Sequence, residues 1–77
     1  MNKVEIYTSD TCGYCHAAKD FLKQYKVSYV EHNISRDMEA RRALISKGYR
    51  SVPVIVINGK EISGFDQEEV SRQLNLI

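Results

Sequence analysis

The sequence is short of several things at once: its 77 residues include no tryptophan, one proline, two cysteines and no excess of either charge. A small secreted domain is normally stapled by four or more cysteines, so a pair excludes a disulfide scaffold. Eleven basic against ten acidic residues leave a formal net charge of +1, which points to no nucleic-acid partner. No run of Lys or Arg suits an anionic membrane surface, and no stretch approaches the roughly 20 apolar residues of a membrane span. After Met1-Asn2-Lys3 the chain alternates almost at once, unlike the apolar run of a signal peptide. No linker, internal repeat or low-complexity segment interrupts it. The expectation is a single domain over residues 1–77, cytoplasmic and monomeric, near the lower end of what one core stabilises without help.

What the chain does have is its two cysteines at close spacing, Cys12-Gly13-Tyr14-Cys15. A disulfide between them closes a ring too short to gain much loop entropy, so the pair is chemical rather than structural. In a reducing cytosol it rests mainly as dithiol, and a disulfide is a transient catalytic state. The pair follows a strand-like run and opens a helix-like one. A thiol on the first turn of a helix meets the positive end of the dipole and unpaired N–H groups, both of which favour thiolate. Cys12 is therefore the candidate nucleophile. A zinc site needs two further ligands, for which only His16 and His32 are available. His16 follows Cys15 directly on a helix that turns successive side chains about 100° apart, so it reads as a solvated residue and no metal site is expected.

Periodicity orders the rest. Val4 and Ile6 alternate with Glu5 and Tyr7 in a first strand from Lys3 to Tyr7, and Ala18, Phe21, Leu22 and Tyr25 recur at helical spacing from about Gly13 to Tyr25. Val27 to His32 reads as a second strand. Ser35 is a candidate cap for a helix running to about Lys47, with Asp37 and Glu39 in its first turn and Gly48 as its C-cap. Val54-Ile55-Val56-Ile57 suggests a central strand buried on both faces. Asn58-Gly59 signals a hairpin returning through Lys60 to Ser63 as an edge strand. Asp66 with Glu69 forms a capping pattern before Val70, Leu74 and Ile77 of a last helix. A right-handed crossover makes the first two strands parallel and places the cysteine loop at the carboxyl end of the first, where open α/β sheets hold ligands.

In four stretches, Val4-Glu5-Ile6-Tyr7-Thr8, Cys12 to Cys15, Val52-Pro53 and Ser63-Gly64-Phe65-Asp66, the chain resembles the glutaredoxins over nearly its whole length. The resemblance implies an α/β, thioredoxin-like fold, β-α-β-α-β-β-α, with a four-stranded mixed sheet flanked by three helices. It implies a thiol-disulfide oxidoreductase acting on protein disulfides or glutathionyl mixed disulfides, with no tightly bound cofactor and glutathione as cosubstrate. Cys12 is then the attacking thiol and Cys15 the resolving one. Pro53 matches a cis-proline that leaves Val52 free to pair with an extended thiol substrate. Gly64, Phe65 and Asp66 match the segment that receives the γ-glutamyl end of glutathione, with Phe65 acting through its backbone and packing near Leu74 or Ile55. Tyr14 lies on the rim that a disulfide must pass. Tyr7 reads equally as a packing residue and as a substrate contact.

The chain departs from the family pattern at two places. Gly13 stands where many glutaredoxins have Pro, and Ser9-Asp10 where glutathione-binding members carry a Lys; Arg50 is a candidate replacement for that cation. The segment Ser63-Gly64-Phe65 also resembles the glutaredoxin-like hydrogen donors of ribonucleotide reductase, which accept electrons from thioredoxin reductase. Three readings follow: a general disulfide reductase, a dedicated electron donor to such a reductase, and, from Gly13, a dimer sharing an iron-sulfur cluster through Cys12 with two thiolates from glutathione.

Overall fold

The computed structural model describes residues 3–76, and the expectation for Ile77 lies outside them. Its elements run β1 (Val4–Thr8), α1 (Gly13–Gln24), β2 (Val30–Asn33), α2 (Met38–Ser46), β3 (Val54–Ile57), β4 (Lys60–Ser63) and α3 (Gln67–Gln73). The sheet order is β2-β1-β3-β4, with β1 parallel to β2 and antiparallel to β3, and β3 antiparallel to β4. This is the mixed four-stranded sheet with three helices that the sequence implies.

The alternation in β1 divides the core in two. Val4 and Ile6 join Ala18, Phe21 and Leu22 of α1, Ile55 and Ile57 of β3, Ile62 of β4, and Val70 and Leu74 at α3. Tyr7 faces the other way, with Ala40 and Leu44 of α2 and Val54 and Val56 of β3. All four β3 residues are buried, which explains that strand's unbroken apolar run. Burying Leu22 and Leu44 completely contributes about 2–3 kcal/mol each, so each helix is held mainly by its inward stripe. Among the described residues no helix is long and apolar enough to cross a membrane.

All three helices end in the same way. The residue after each C-cap has positive φ, Lys26 at 56°, Gly48 at 92° and Asn75 at 61°. The next N–H returns to a carbonyl five residues back: Val27 to Leu22 at 2.9 Å, Tyr49 to Leu44 at 3.2 Å, and Leu76 to Ser71 at 2.8 Å. These are Schellman motifs, and Val27, Tyr49 and Leu76 pack on the two cores as their hydrophobic contacts. Consequently β2 starts at Val30 rather than Val27, because Val27 belongs to the helix stop. Gly48 ends α2 as its position predicts.

The start of α2 also differs from the expectation. Asp37, not Ser35, is the N-cap, its Oδ1 accepting the N–H groups of Glu39 at 3.0 Å and Ala40 at 3.2 Å. The Ser35 hydroxyl accepts the Asp10 N–H at 3.1 Å instead. Asn58 and Gly59 both take positive φ, 52° and 88°, as a two-residue hairpin turn requires.

Candidate functional site

Register brings three loops to one end of the sheet. Tyr7 pairs with Val54, and Val54 with Ser63, so the segment leaving β1, the segment entering β3 and the segment leaving β4 are neighbours. They carry the Cys12 to Cys15 turn, Val52-Pro53, and Gly64-Phe65-Asp66.

Cys12 is the N-cap of α1, with extended backbone at φ −98° and ψ 109°. Its Sγ accepts the Cys15 N–H at 3.1 Å and lies 3.6 Å from the Val52 carbonyl oxygen. The two cysteines are joined as a disulfide, their Cα atoms 5.2 Å apart. Once the bond is reduced, the two contacts act oppositely. The N–H and the helix dipole favour negative charge on Sγ, whereas the carbonyl dipole opposes it. The donor is the nearer and acts together with the helix terminus, so thiolate is favoured. Cys15 is 1% exposed while Cys12 is half-buried, so only Cys12 offers its sulfur to a large partner. Tyr14, between them, is 73% exposed.

The Val52-Pro53 peptide bond is cis, and Pro53 is buried. Its carbonyl accepts the Gly64 N–H at 2.8 Å, clasping two of the three loops together. Gly64 takes φ +80°, which a side chain would strain. Phe65 packs edge-on against Phe21, ring centroids 5.7 Å apart, in the cluster that contains Ile55 and Leu74. Asp66 caps α3 through the Glu69 N–H at 3.2 Å.

The residues expected to depart from the family pattern occupy definite places. The Asp10 carboxylate accepts from Asn33 Nδ2 at 2.9 Å and Arg36 Nε at 3.2 Å, and these bonds hold its carboxyl below the ordinary carboxylate range. Its charge is thus matched within the loop between β2 and α2. Gly13 has an open surrounding, with nothing within 4 Å of where a Cβ would stand. Tyr7 is a packing residue, buried and stacked on His32 at a centroid distance of 5.0 Å. His32 Nε2 lies 3.1 Å from Glu5 Oε1, while His16 is exposed on α1. Among the described residues no group of three or more His, Cys, Asp or Glu side chains could hold a metal ion.

Beside the cysteine loop is a groove of about 420 Å³ that sequence reasoning did not assemble. Ser9 forms one wall with Ile34 and Ser35; Arg41, Leu44 and Ile45 of α2 form another, and Tyr49 and Arg50 close it. Neither cysteine lines it, but Ser9 accepts the Cys12 N–H through its carbonyl at 3.5 Å, and Arg50 is two residues from Val52. Glu61 of β4 anchors the segment that delivers Arg50. It takes a hydrogen bond from Tyr49 Oη at 3.1 Å and an ion pair from Lys47 at 2.9 Å. The Lys47 contact, then the Tyr49 bond, holds the Glu61 carboxyl below its ordinary range. Arg50 was legible as a candidate cation, but Arg41 and Tyr49 carried no local signal.

A CxxC pair at the N-cap of the first helix, beside a cis-proline loop and a four-stranded mixed sheet, defines a thioredoxin-like thiol-disulfide oxidoreductase. The Glutaredoxin family model matches residues 4–62. Glutaredoxin 3 of Escherichia coli K12 is 42% identical over 67 residues, spanning 86% of this chain and 81% of that protein. The solved structure of the glutaredoxin-like protein NrdH-redoxin from Escherichia coli aligns at TM-score 0.84 and 31% identity, covering 91% of this chain and 92% of that one. That of the thioredoxin-like protein BC3987 aligns at TM-score 0.87 and 35% identity, covering 92% and 99% respectively. The chain belongs to the glutaredoxin family.

Proposed function

We propose that this protein, acting as one domain over residues 1–77, reduces protein disulfides in a reducing compartment and is recharged as thioredoxins are, by a flavoenzyme reductase. The observation that carries the chemistry is Cys12 Sγ at the N-cap of α1 beside the Val52 carbonyl, with Cys15 buried one turn behind it. The Cys12 thiolate attacks one sulfur of the substrate disulfide; a Cys12 mixed disulfide forms and the other substrate sulfur leaves as thiolate. Cys15 then attacks Cys12 Sγ, releasing the second substrate thiol and leaving the Cys12-Cys15 disulfide. Two electrons and two protons from the reductant restore the dithiol. An extended substrate pairs with Val52, passes Tyr14, and meets the loop of Gly64, Phe65 and Asp66.

Two features support a flavoenzyme over glutathione as reductant. Asp10 stands where a glycyl carboxylate would need a cation, and the Gly64 amide is already bonded to Pro53. The NrdH-redoxin of Escherichia coli, a glutaredoxin-like protein with a thioredoxin-like activity profile, has a similar fold and sequence. Ribonucleotide reductase, a disulfide-cycling enzyme, is a partner of the required kind. The test is a coupled assay following NADPH with a protein disulfide as substrate. Thioredoxin reductase should sustain turnover at a rate that glutathione with glutathione reductase does not reach. Faster turnover with glutathione assigns the tripeptide as cosubstrate and overturns this reading of the reductant. Cys15→Ser should abolish reduction of protein disulfides and spare glutathionyl substrates; equal loss of both contradicts the role given to Cys15.

A further inference from the structure

The groove beside the cysteine loop contains two guanidinium groups, from Arg41 and Arg50, and no carboxylate. Five other cations, Lys19, Arg36, Lys47, Lys60 and Arg72, are paired with acidic side chains. Among the described residues Arg41, Arg42 and Arg50 have no such partner, and neither do Lys3, Lys23 and Lys26, three lysines that stand outside the groove. The arginines lie among exposed apolar groups. Met38, Arg41, Arg42 and Ile45 follow the i, i+3, i+4, i+7 spacing of one helix face, and Met38 and Ile45 are 62% and 57% exposed. Helix α2 therefore buries Ala40 and Leu44 inward and presents a second, cationic and apolar stripe outward, continuous with the groove through Arg41 and Ile45.

We infer that this surface receives the segment flanking the disulfide of a protein substrate, one in which carboxylate side chains alternate with aliphatic ones. The inference rests on the reading that Cys12 and Cys15 reduce protein disulfides, and it names the class of protein they act on. Charge complementarity decides the occupant. Unpaired guanidiniums suit carboxylates in fork geometry, and the aliphatic wall of Ile34, Leu44 and Ile45 rewards apolar side chains between them. A basic segment would meet like charge with no carboxylate in the groove to offset it. A segment seated there runs beside the loops that hold Cys12 and Val52, since Ser9 accepts the Cys12 N–H and Arg50 is two residues from Val52. The groove thus orients the disulfide by its flanking sequence.

The test uses a short synthetic peptide of alternating Glu and Leu in which Ser replaces the disulfide cysteine, so that binding is read without any thiol step. Titrated into the ¹⁵N-labelled protein, it should move the amide signals of Arg41, Ile45, Tyr49 and Arg50. A peptide with Lys for Glu should bind roughly three- to tenfold more weakly, and the difference should vanish near 1 M salt, where the Debye length is about 3 Å. Arg41→Gln with Arg50→Gln should bring the acidic peptide to the affinity of the basic one, whereas Lys23→Gln with Lys26→Gln, an equal charge change at the C-terminal end of α1, should not. If the double variant melts lower than the parent, the peptide charge swap on the unaltered protein carries the decision. Equal affinity for the two peptides, or signal changes away from these residues, overturns the inference. Displacement of the peptide by glutathione from the same residues reassigns the groove to the tripeptide and also overturns it. Because the peptide has no cysteine, a failure of the redox reading appears only in the turnover assay and leaves this result legible.

Discussion

On one face of the sheet, α1 and α3 close over a cluster of ten buried residues; on the other, α2 closes alone over a cluster of five. The cysteines open a helix of the thicker face, and the groove with its unpaired arginines lies along the single helix of the thinner one. The difference teaches how a chain this small separates two tasks. Thiol exchange needs a sulfur held at fixed distance from its donor, and the larger core holds α1 firmly enough for that. Recognition of varied partners needs exposed charge and apolar surface, which a face covered by one helix leaves available.

The largest effect should come from the thicker face. Cys12→Ser removes the proposed nucleophile, and disulfide reduction should fall by on the order of a thousandfold or more in an NADPH-coupled assay. Retained activity would break the assignment. Next is stability: Leu22→Ala should cost about 3–4 kcal/mol in urea unfolding and Leu44→Ala about 2–3 kcal/mol, since the smaller cluster has fewer neighbours to leave unsupported. The reverse order would show that the two faces are held differently from what their burial indicates. Asp37→Ala, which uncaps α2 alone, should cost about 1 kcal/mol and lower the melting temperature by roughly 4–8 °C.

Smaller effects sharpen the comparison. Lys26 ends α1 in a conformation that costs a side chain energy, so Lys26→Gly should stabilise the protein by about 0.5–1 kcal/mol, read as a raised urea midpoint. The smallest concerns pH. Glu31 accepts the Thr8 hydroxyl at 2.6 Å and pairs with Lys19 at 3.1 Å, and the Thr8 bond chiefly holds its carboxyl below its ordinary value of 4.5. The folded state then binds fewer protons than the unfolded one as pH falls below 4.5, so this contribution is present above that pH and lost beneath it. Glu31→Gln should flatten the acid limb of the melting profile; an unchanged limb would remove Glu31 from that role.

Much of this was legible in the chain. Period two in β1 put Val4 and Ile6 on one face and Tyr7 on the other, and the apolar run of β3 marked a strand buried on both sides, because burial pattern is a local record of a global arrangement. Gly48 and the Asn58-Gly59 turn were equally plain, since positive φ leaves a residue signature. Lys26 and Asn75 take the same conformation without that signature, so Val27 was assigned to a strand when it belongs to a helix stop. Ser35 reads as the cap with Asp37 in the first turn, yet Asp37 is the cap, since both side chains can accept an N–H. The choice between them was made by the Asp10 amide, 25 positions from Ser35, which engages the Ser35 hydroxyl. The groove was illegible for a related reason: Ser9, Ile34, Arg41 and Arg50 meet only after the sheet has formed.

In the proposed reaction Cys12 Sγ is at once the attacking atom and the acceptor that closes the first turn of α1. A thiolate accepts the Cys15 N–H more strongly than a disulfide sulfur does, so each electron pair entering the protein also improves the capping of a helix. Folding stability and electron affinity are then two readings of one free energy. Whatever the cap adds to the reduced form over the oxidised form appears as a gap between their melting temperatures and as a more oxidising couple, by about 30 mV for every 1.4 kcal/mol.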